Sequence, residues 1–158
     1  MNITGGGRTG HDFTGDGVDD VAGVNADGLL RIYRNNAGSL SGDDVGPGWT
    51  AMDKVAAGDF TGDGKADIVA ANNTTGDLNL YTSNGSGISS TTKIGSNWGG
   101  ITKLTLSDID IDIDNDGKDD VVAINGSTGD LLQYTSTGTS LKSGVEIGHG
   151  WSTMQHLI

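Results

Sequence analysis

Asp12-Phe-Thr-Gly-Asp-Gly-Val-Asp-Asp20 is the first of three copies of a nine-residue acidic segment. The other two are Asp59-Phe-Thr-Gly-Asp-Gly-Lys-Ala-Asp67 and Asp112-Ile-Asp-Asn-Asp-Gly-Lys-Asp-Asp120. Each copy has oxygen-bearing side chains at positions 1, 3, 5 and 9 and a glycine at position 6. Alternate side chains of a tightly turned loop converge on one point, and Ca²⁺ prefers six to eight oxygen ligands at about 2.3–2.6 Å. The sequence therefore predicts three calcium-binding loops and about three Ca²⁺ per chain.

The acidic residues are almost all aspartate. Of the 21 Asp and Glu residues in this 158-residue chain, only Glu146 is a glutamate. Aspartate has the shorter side chain, hydrogen-bonds its own backbone in turns and is disfavoured inside helices. More than half of the aspartates lie in the three acidic loops, which indicates that the acidic residues are needed to form these loops. Bound Ca²⁺ would offset part of the formal net charge of −12.

Charge and composition bear on partners and location. With a net charge of −12 and no cluster among its nine Lys and Arg residues, the chain is not expected to bind nucleic acid. No apolar run approaches the roughly 20 residues of a membrane span, so membrane insertion is not expected. The N-terminal residues are polar and contain no secretory signal. Weak calcium sites fill only at extracellular concentrations, at about 10⁻⁴–10⁻³ M, so we expect a secreted protein in its mature form.

Tyrosine and tryptophan recur in step with the acidic loops, at an interval of about 50 residues. The chain has 34% hydrophobic residues, 28 Gly and one Pro, which suits many short strands joined by tight turns. An interval of this size is typical of four-stranded propeller blades. The sequence predicts an all-β fold with one domain over residues 1–158, a β-propeller with three four-stranded blades per chain. The recurring aromatic residues are Tyr33, Tyr81 and Tyr134, and Trp49, Trp98 and Trp151.

Each repeat can be divided into strands. A run that is apolar on both faces follows each acidic loop, as expected for a buried inner strand, at residues 21–24, 68–71 and 121–124. A strand ending in tyrosine, a polar strand rich in Ser and Thr, and a Gly-Trp segment come next. The segment after each tryptophan is predicted to be the first strand of the next blade. The repeats are expected at about residues 12–57, 58–107 and 108–150.

The third acidic loop is preceded by an extra stretch, Asp108-Ile-Asp-Ile-Asp-Ile-Asp114. One register places Asp108 and Asp110 at positions 1 and 3 and loops out four residues. The uninterrupted register from Asp112 needs no distortion and is preferred. Asp108 and Asp110 would then form a strand extension, a second weak cation site or a tolerated duplication of Ile-Asp pairs.

The two ends of the sequence are complementary. Residues 1–11 contain no Trp-x-x-Met strand, whereas residues 151–158 form such a strand with no blade after it. Three blades are too few to close a ring, because propellers have about 4–8. We therefore expect a homodimer that closes as a six-bladed ring, with residues 151–158 completing the first blade of another chain. This arrangement would also cover open sheet edges. A fragment of a longer array, or a partial ring completed by other subunits, is the alternative.

The run Asp-Phe-Thr-Gly-Asp-Gly-Lys-Ala-Asp-Ile-Val at residues 59–69, Gly-Asp-Leu-Asn-Leu-Tyr at 76–81 and Asn-Gly-Ser-Gly at 84–87 resemble FG-GAP/VCBS repeats. These are the calcium-binding blades of integrin α-subunit propellers and of many secreted bacterial proteins. The resemblance implies side-chain ligands at positions 1, 3, 5 and 9 and a backbone carbonyl ligand at position 7. Threonine at position 3 is a weaker ligand than aspartate, so the first two sites are expected to be weaker than the third. The implied metal ligands are Asp12, Thr14, Asp16, Val18 and Asp20; Asp59, Thr61, Asp63, Lys65 and Asp67; and Asp112, Asp114, Asp116, Lys118 and Asp120.

The Gly-Trp segment before each first strand is also similar to fungal integrin-like propeller lectins, which bind N-acetylglucosamine-type sugars between blades. Tryptophan packs well against sugar C–H faces, so Trp49, Trp98 and Trp151 are candidate ligand-binding residues. They are equally interpreted as core residues between blades, because tryptophan is largely buried on average. We expect a calcium-stabilised, carbohydrate-binding module without enzymatic activity. The alternatives are a protein-binding adhesion or scaffold module and a purely structural repeat, natural or engineered, that has no ligand.

Overall fold

A computed structural model describes residues 10–108 and 116–157, which contain eleven β-strands, three 3₁₀ turns and no α-helix. The first sheet contains β1 (Val21–Val24), β2 (Leu30–Asn36) and β3 (Ser39–Gly46). The second contains β4 (Met52–Gly58), β5 (Asp67–Asn72), β6 (Leu78–Ser83) and β7 (Ile88–Gly95). The third contains β8 (Ile101–Ser107), β9 (Asp120–Asn125), β10 (Leu131–Tyr134) and β11 (Val145–Gly148). The 3₁₀ turns lie at Trp49–Ala51, Trp98–Gly100 and Trp151–Thr153.

Each sheet is an antiparallel meander in which strands that are consecutive in sequence are neighbours. The second and third sheets have four strands, and the first has three within the described part of the chain. The all-β prediction is confirmed, and the three sheets form a partial β-propeller. The strand after each tryptophan pairs with the following strand, β4 with β5 and β8 with β9. The second and third sheets therefore begin at Met52 and Ile101, in the segments predicted to form the first strand of the next blade.

A glycine turn joins the first sheet to its tryptophan. Gly28 has a left-handed backbone with φ of 75°, a conformation that glycine adopts without a steric penalty. A Cβ atom there would also lie 2.6 Å from Cγ2 of Thr50, so the close approach excludes a side chain. The backbone N–H of Trp49 donates a hydrogen bond of 3.0 Å to the carbonyl of Gly28. The carbonyls of Gly76 and Gly129 accept the same hydrogen bond from the N–H groups of Trp98 and Trp151. One local interaction therefore fixes all three 3₁₀ turns.

The hydrophobic core lies between adjacent sheets. Phe13, Leu30 and Ile32 pack against Ile68 and Ala70 of the second sheet. A second core of the same construction lies between the second and third sheets. β5 and β9 are buried on both faces, which explains their continuous apolar runs, whereas β1, predicted to be buried as well, is mostly exposed. The packing of sheet against sheet therefore supplies most of the buried apolar surface in this fold.

Candidate metal-binding loops

The first acidic loop folds around the carboxylate at its position 1. Asp12 accepts hydrogen bonds from the backbone N–H groups of Gly15 at 2.6 Å, Asp16 at 3.2 Å and Gly17 at 2.7 Å. The hydroxyl of Thr14 lies 3.2 Å from the same carboxylate. Burial raises the pKa of Asp12, but these hydrogen bonds outweigh it and hold the pKa below its ordinary value. Asp12 is therefore a stable buried anion that organises the loop.

The second loop repeats this geometry. Asp59 accepts hydrogen bonds from Gly62 at 2.7 Å, Asp63 at 3.0 Å and Gly64 at 2.9 Å. Gly62 and Gly64 both have left-handed backbone, with φ of 78° and 86°. A side chain at either position would be strained, which explains the recurring glycines at positions 4 and 6.

The aspartate at position 9 connects each loop to its own sheet. Asp67 is fully buried and accepts hydrogen bonds of 3.0 Å from the N–H groups of Thr61 and Ser83. Burial raises the pKa of Asp67 to about 6, and the two N–H groups offset only part of this effect. Asp120 is also buried, and burial raises its pKa as well. Because burial disfavours the charged carboxylate, a cation at this position would be strongly attracted.

A hydroxyl group next to Asp67 provides a second sign of a cation ligand. The Oγ1 atom of Thr61 is buried beside the Asp67 carboxylate, whose pKa it lowers, but it makes no hydrogen bond of regular geometry within the described part of the chain. Buried polar atoms normally have a hydrogen-bond partner, so an unpaired hydroxyl at position 3 needs an explanation. Together with the carboxylates at positions 1, 5 and 9 it completes a set of hard oxygen donors, which fits Ca²⁺.

The carboxylate at position 5 pairs with the residue at position 7. Asp63 accepts the N–H of Lys65 at 2.9 Å, and its other oxygen lies 3.3 Å from the Lys65 ammonium. Asp116 forms the same pair with Lys118 at 2.7 Å, and this contact lowers the pKa of Asp116. Like charges repel, so the exposed carboxylate pairs with lysine while the carboxylates at positions 1 and 9 stay buried. Asp16 likewise accepts the N–H of its position-7 residue, Val18, at 2.9 Å.

The third loop is described only in part. Asp112 and Asp114 lie outside the described residues, and so does most of the extra Asp108–Asp114 stretch. Of the predicted ligands in this loop, the structure places Asp116 and Lys118 at the surface side of the loop and Asp120 in the buried position 9.

The loops also contact one another across the blades. The N–H of Ala66 donates to the carbonyl of Asp12 at 2.7 Å, and the hydroxyl of Ser83 donates to the carbonyl of Phe13 at 2.9 Å. The next pair of loops repeats both bonds, with Asp119 and Ser136 as donors to Asp59 and Phe60. Sequence reasoning missed the two serines, although the repeated tripeptide Tyr-Thr-Ser at residues 81–83 and 134–136 was a signal. Each loop is therefore fastened both to its own sheet and to the following blade.

The tryptophans do not lie where a sugar could stack on them. Trp49 and Trp98 are each only 6% exposed. The Trp49 ring packs on Tyr81 of the following sheet with a centroid distance of 4.6 Å, and Trp98 packs on Tyr134 at 4.8 Å. These two residues belong to the cores between blades, in contrast to the ligand-binding prediction and in agreement with the core interpretation. Trp151 is half-buried on the outer face of the third sheet.

A polar cavity of about 150 Å³ lies at the junction of the first and second sheets. Its lining includes Phe13, Arg34, Asp43 and Ser86. The Arg34 guanidinium lies 3.0 Å from the Asp43 carboxylate and donates a hydrogen bond to the backbone carbonyl of Ser86. Sequence reasoning missed this site, because its charged residues do not recur in the other repeats.

A cluster of Asp130, Glu146 and His149 lies on the third sheet. Within the described ranges it is the only group of three His, Asp or Glu residues whose ligand atoms all lie within 4.8 Å of one another. At the corresponding place in the second sheet, Asp77 pairs with Lys93 at 2.6 Å. His149 and Glu146 are exposed, and the cluster was not predicted from the sequence.

Comparison with protein families agrees with these repeats. A family model described as an FG-GAP-like repeat matches residues 12–70, and a model described as an FG-GAP repeat matches residues 53–89. A comparison with curated proteins gave no match. Within residues 10–108 and 116–157, no helix has the length and apolar character needed to cross a membrane. The matched residues span the first two acidic loops and most of the second sheet. Residues 12–89 of the chain therefore consist of FG-GAP repeats.

Proposed function

We propose that this chain is a calcium-stabilised β-propeller module that binds a ligand outside the cell and catalyses no reaction. The observation that carries the calcium part is the second loop. There the buried Asp67 carboxyl, whose pKa is raised to about 6 by burial, lies beside the buried hydroxyl of Thr61, which makes no hydrogen bond of regular geometry within the described residues. Both features are unfavourable in an apolar surrounding and become favourable beside a divalent cation.

The calcium ligands in this proposal are all hard oxygens. In the second loop they are the side chains of Asp59, Thr61, Asp63 and Asp67 and the carbonyl of Lys65. The ion would neutralise these carboxylates and hold the loop to its own sheet and to the neighbouring blade. The first and third loops supply the matching positions. Weak sites of this kind fill at extracellular calcium concentrations, which supports a secreted location.

Calcium binding is tested by titration and by thermal melting with calcium at about 1 mM and with a chelator. We expect a clearly higher melting temperature in calcium. An Asp67→Asn variant should bind fewer ions per chain than the wild type. Asp27→Asn, which changes an exposed turn aspartate outside the loops, is the matched control and should bind as the wild type does. The same melting temperature in chelator and in calcium would contradict the proposal.

For the ligand we propose a carbohydrate, bound at the polar cavity between the first two sheets. Arginine and carboxylate side chains such as Arg34 and Asp43 can hydrogen-bond sugar hydroxyls, and the half-buried Ile88 in the lining suits a sugar C–H face. Because Trp49 and Trp98 are buried, this cavity replaces them as the candidate binding site.

The carbohydrate proposal is tested on a glycan array in calcium. Arg34→Ala should abolish binding, whereas Arg31→Ala, on the same strand but outside the cavity, should retain it. A protein captured by the chain while the array remains negative would favour an adhesion or scaffold module instead. A negative result both on the array and in protein capture would favour a structural repeat without a ligand.

The three sheets form, in this proposal, half of a six-bladed ring made by two chains. The support is that the first sheet has one strand fewer than the other two in the described part of the chain. Two chains give six blades, which lies within the range of about 4–8 found in propellers.

A further inference from the structure

The first sheet presents an apolar face that is buried at the same place in the other sheets. Val21 lies opposite Tyr33 in β2, just as Ile68 lies opposite Tyr81 in β6. Ile68 is 1% exposed, because the first sheet covers it, and Val121 at the same place in the third sheet is 0% exposed. Val21 is 53% exposed. The face that receives a preceding blade is thus present on the first sheet, and Val21 on it is exposed in the described part of the chain.

The opposite end of the row of blades presents the complementary surface. Trp49 of the first sheet stacks on Tyr81 of the second, and the same pairing recurs between the second and third sheets. Trp151 holds this place at the end of the third sheet and has no aromatic partner within the described residues. Tyr33 holds the place of Tyr81 in the first sheet, and no indole packs on it there. The third sheet therefore carries a tryptophan without its tyrosine partner, and the first sheet carries a tyrosine without its tryptophan partner.

We infer that the third sheet of one chain packs on the first sheet of a second copy, with Trp151 stacked on Tyr33 of the partner subunit. The contact continues the construction of the two interfaces inside the chain. It is a head-to-tail contact, which closes a ring only when the rotation per copy allows it. Three blades per copy give six blades for two copies and nine for three, and only six lies within about 4–8. The inference rests on the six-bladed ring of the proposed function and defines its interface.

The chain also carries a strand suited to the open edge of β1. In the second sheet, Val55 of β4 lies opposite Ala70 of β5. Leu157 follows the last tryptophan at the same distance as Val55 follows the first, and Gly23 holds the place of Ala70 in β1. An open cavity of about 760 Å³ lies beside this edge, lined by Gly23, by residues of β4 and β8 and by Leu157 of the same chain, which packs on the third sheet. The same register places Leu157 opposite Gly23 of the partner subunit.

The interface is tested by the mass of the full chain in calcium, which should be twice 16.1 kDa. Val21→Glu should give a monomer with an unchanged circular dichroism spectrum, because Val21 is already exposed in the single chain. Ser90→Glu is the matched control, since Ser90 is exposed on β7 of the second sheet, which is not at either end of the row, and this variant should stay a dimer. A monomeric wild type, any other multiple of the chain mass, or a dimeric Val21→Glu would overturn the inference.

The strand register is tested by disulfide formation, because the natural sequence contains no cysteine. Opposed residues on antiparallel strands have Cβ atoms about 4.5–5.5 Å apart, so the double variant Gly23→Cys with Leu157→Cys should oxidise readily. We expect a covalent dimer on a non-reducing gel, and no such band for Ser90→Cys with Leu157→Cys. A disulfide within one chain, or none, would overturn the inference.

Calcium titration of the same samples separates the two proposals. Val21→Glu should bind as many ions per chain as the wild type, because its loops are unchanged. Calcium binding by a monomeric wild type overturns the interface and leaves the calcium proposal intact. A dimer that binds no calcium overturns the calcium proposal and leaves the interface intact.

Discussion

At the residue scale, the carboxyl of Asp67 has the greatest consequence for pH dependence. Its folded pKa of about 6 lies above the ordinary value of 3.8, so the folded protein binds more protons than the unfolded chain between these values. In chelator, this carboxyl therefore contributes stability that is complete below pH 4 and is lost as the pH rises through 6. Thermal melting in chelator should give a lower melting temperature at pH 7.5 than at pH 5.

Calcium should reverse this dependence, because the ion competes with the proton for the same oxygens. The increase in melting temperature that calcium causes should grow as the pH rises through 6. In chelator, Asp67→Asn should flatten the change between pH 4 and 6, since the amide does not titrate. An unchanged slope in this variant would show that other groups dominate, Asp120 being the first to examine.

A second residue-scale prediction concerns the glycine at position 6 of the loops. Gly64 has φ of 86°, and a Cβ atom there would meet nothing within 4 Å. Gly64→Ala should therefore cost about 1 kcal/mol in the free energy of unfolding through backbone strain alone. Gly87→Ala is the control, because that glycine also has open space but no left-handed backbone, and it should be neutral. Urea unfolding in chelator measures the free energy of unfolding of both variants. An equal change in the two would argue against a strained loop.

At the element scale, the bonds between blades should contribute substantially to stability. The buried Ser136 hydroxyl donates to the carbonyl of Phe60 at 2.8 Å and accepts the N–H of Gly138 at 2.9 Å. Ser136→Ala leaves both groups unpaired and should lower the free energy of unfolding by about 1–3 kcal/mol. Ser90→Ala, at an exposed site on β7, should change it by less than about 0.5 kcal/mol. A neutral Ser136→Ala would mean that water replaces the hydroxyl.

The strands themselves follow closely from local sequence. The apolar runs at residues 21–24, 68–71 and 121–124 lie in β1, β5 and β9, because a four-residue run that is apolar on both faces has few alternatives to an inner strand. The positions of the glycines and of the aspartates at positions 1 and 9 could equally be predicted from the sequence, because each pattern lies within one nine-residue loop.

Features that depend on contacts between residues far apart in the sequence could not be predicted in the same way. A tryptophan beside a glycine is equally compatible with a sugar site and with a core, and the partner that decides, Tyr81 for Trp49, lies on the next sheet. The cavity around Arg34 joins residues of two sheets, so no local pattern marks it. The pairing of Asp63 with Lys65 depends on the side-chain conformations of both residues, which spacing alone does not reveal.

At the scale of the whole molecule, the chain is a row of similar units in which each sheet packs on its neighbours. The stability of such a row is approximately a sum of the contributions of the units and of their nearest-neighbour contacts. The second sheet has a neighbour on both sides, whereas the first and third each have one. Calcium in the loops would act on the contacts between neighbours as well as on the units, because Ala66 and Asp119 link consecutive loops.

The uncovered Val21 face has a consequence for the order in which the chain opens. In a single chain the amide protons of β1 should exchange with deuterium first and those of β5 last, because local opening costs least where contacts are fewest. Assembly should slow exchange in β1 selectively, and Val21→Glu should remove that protection while leaving β5 unchanged. The isotope pattern along the chain would thus report, strand by strand, whether the first sheet has gained a neighbour.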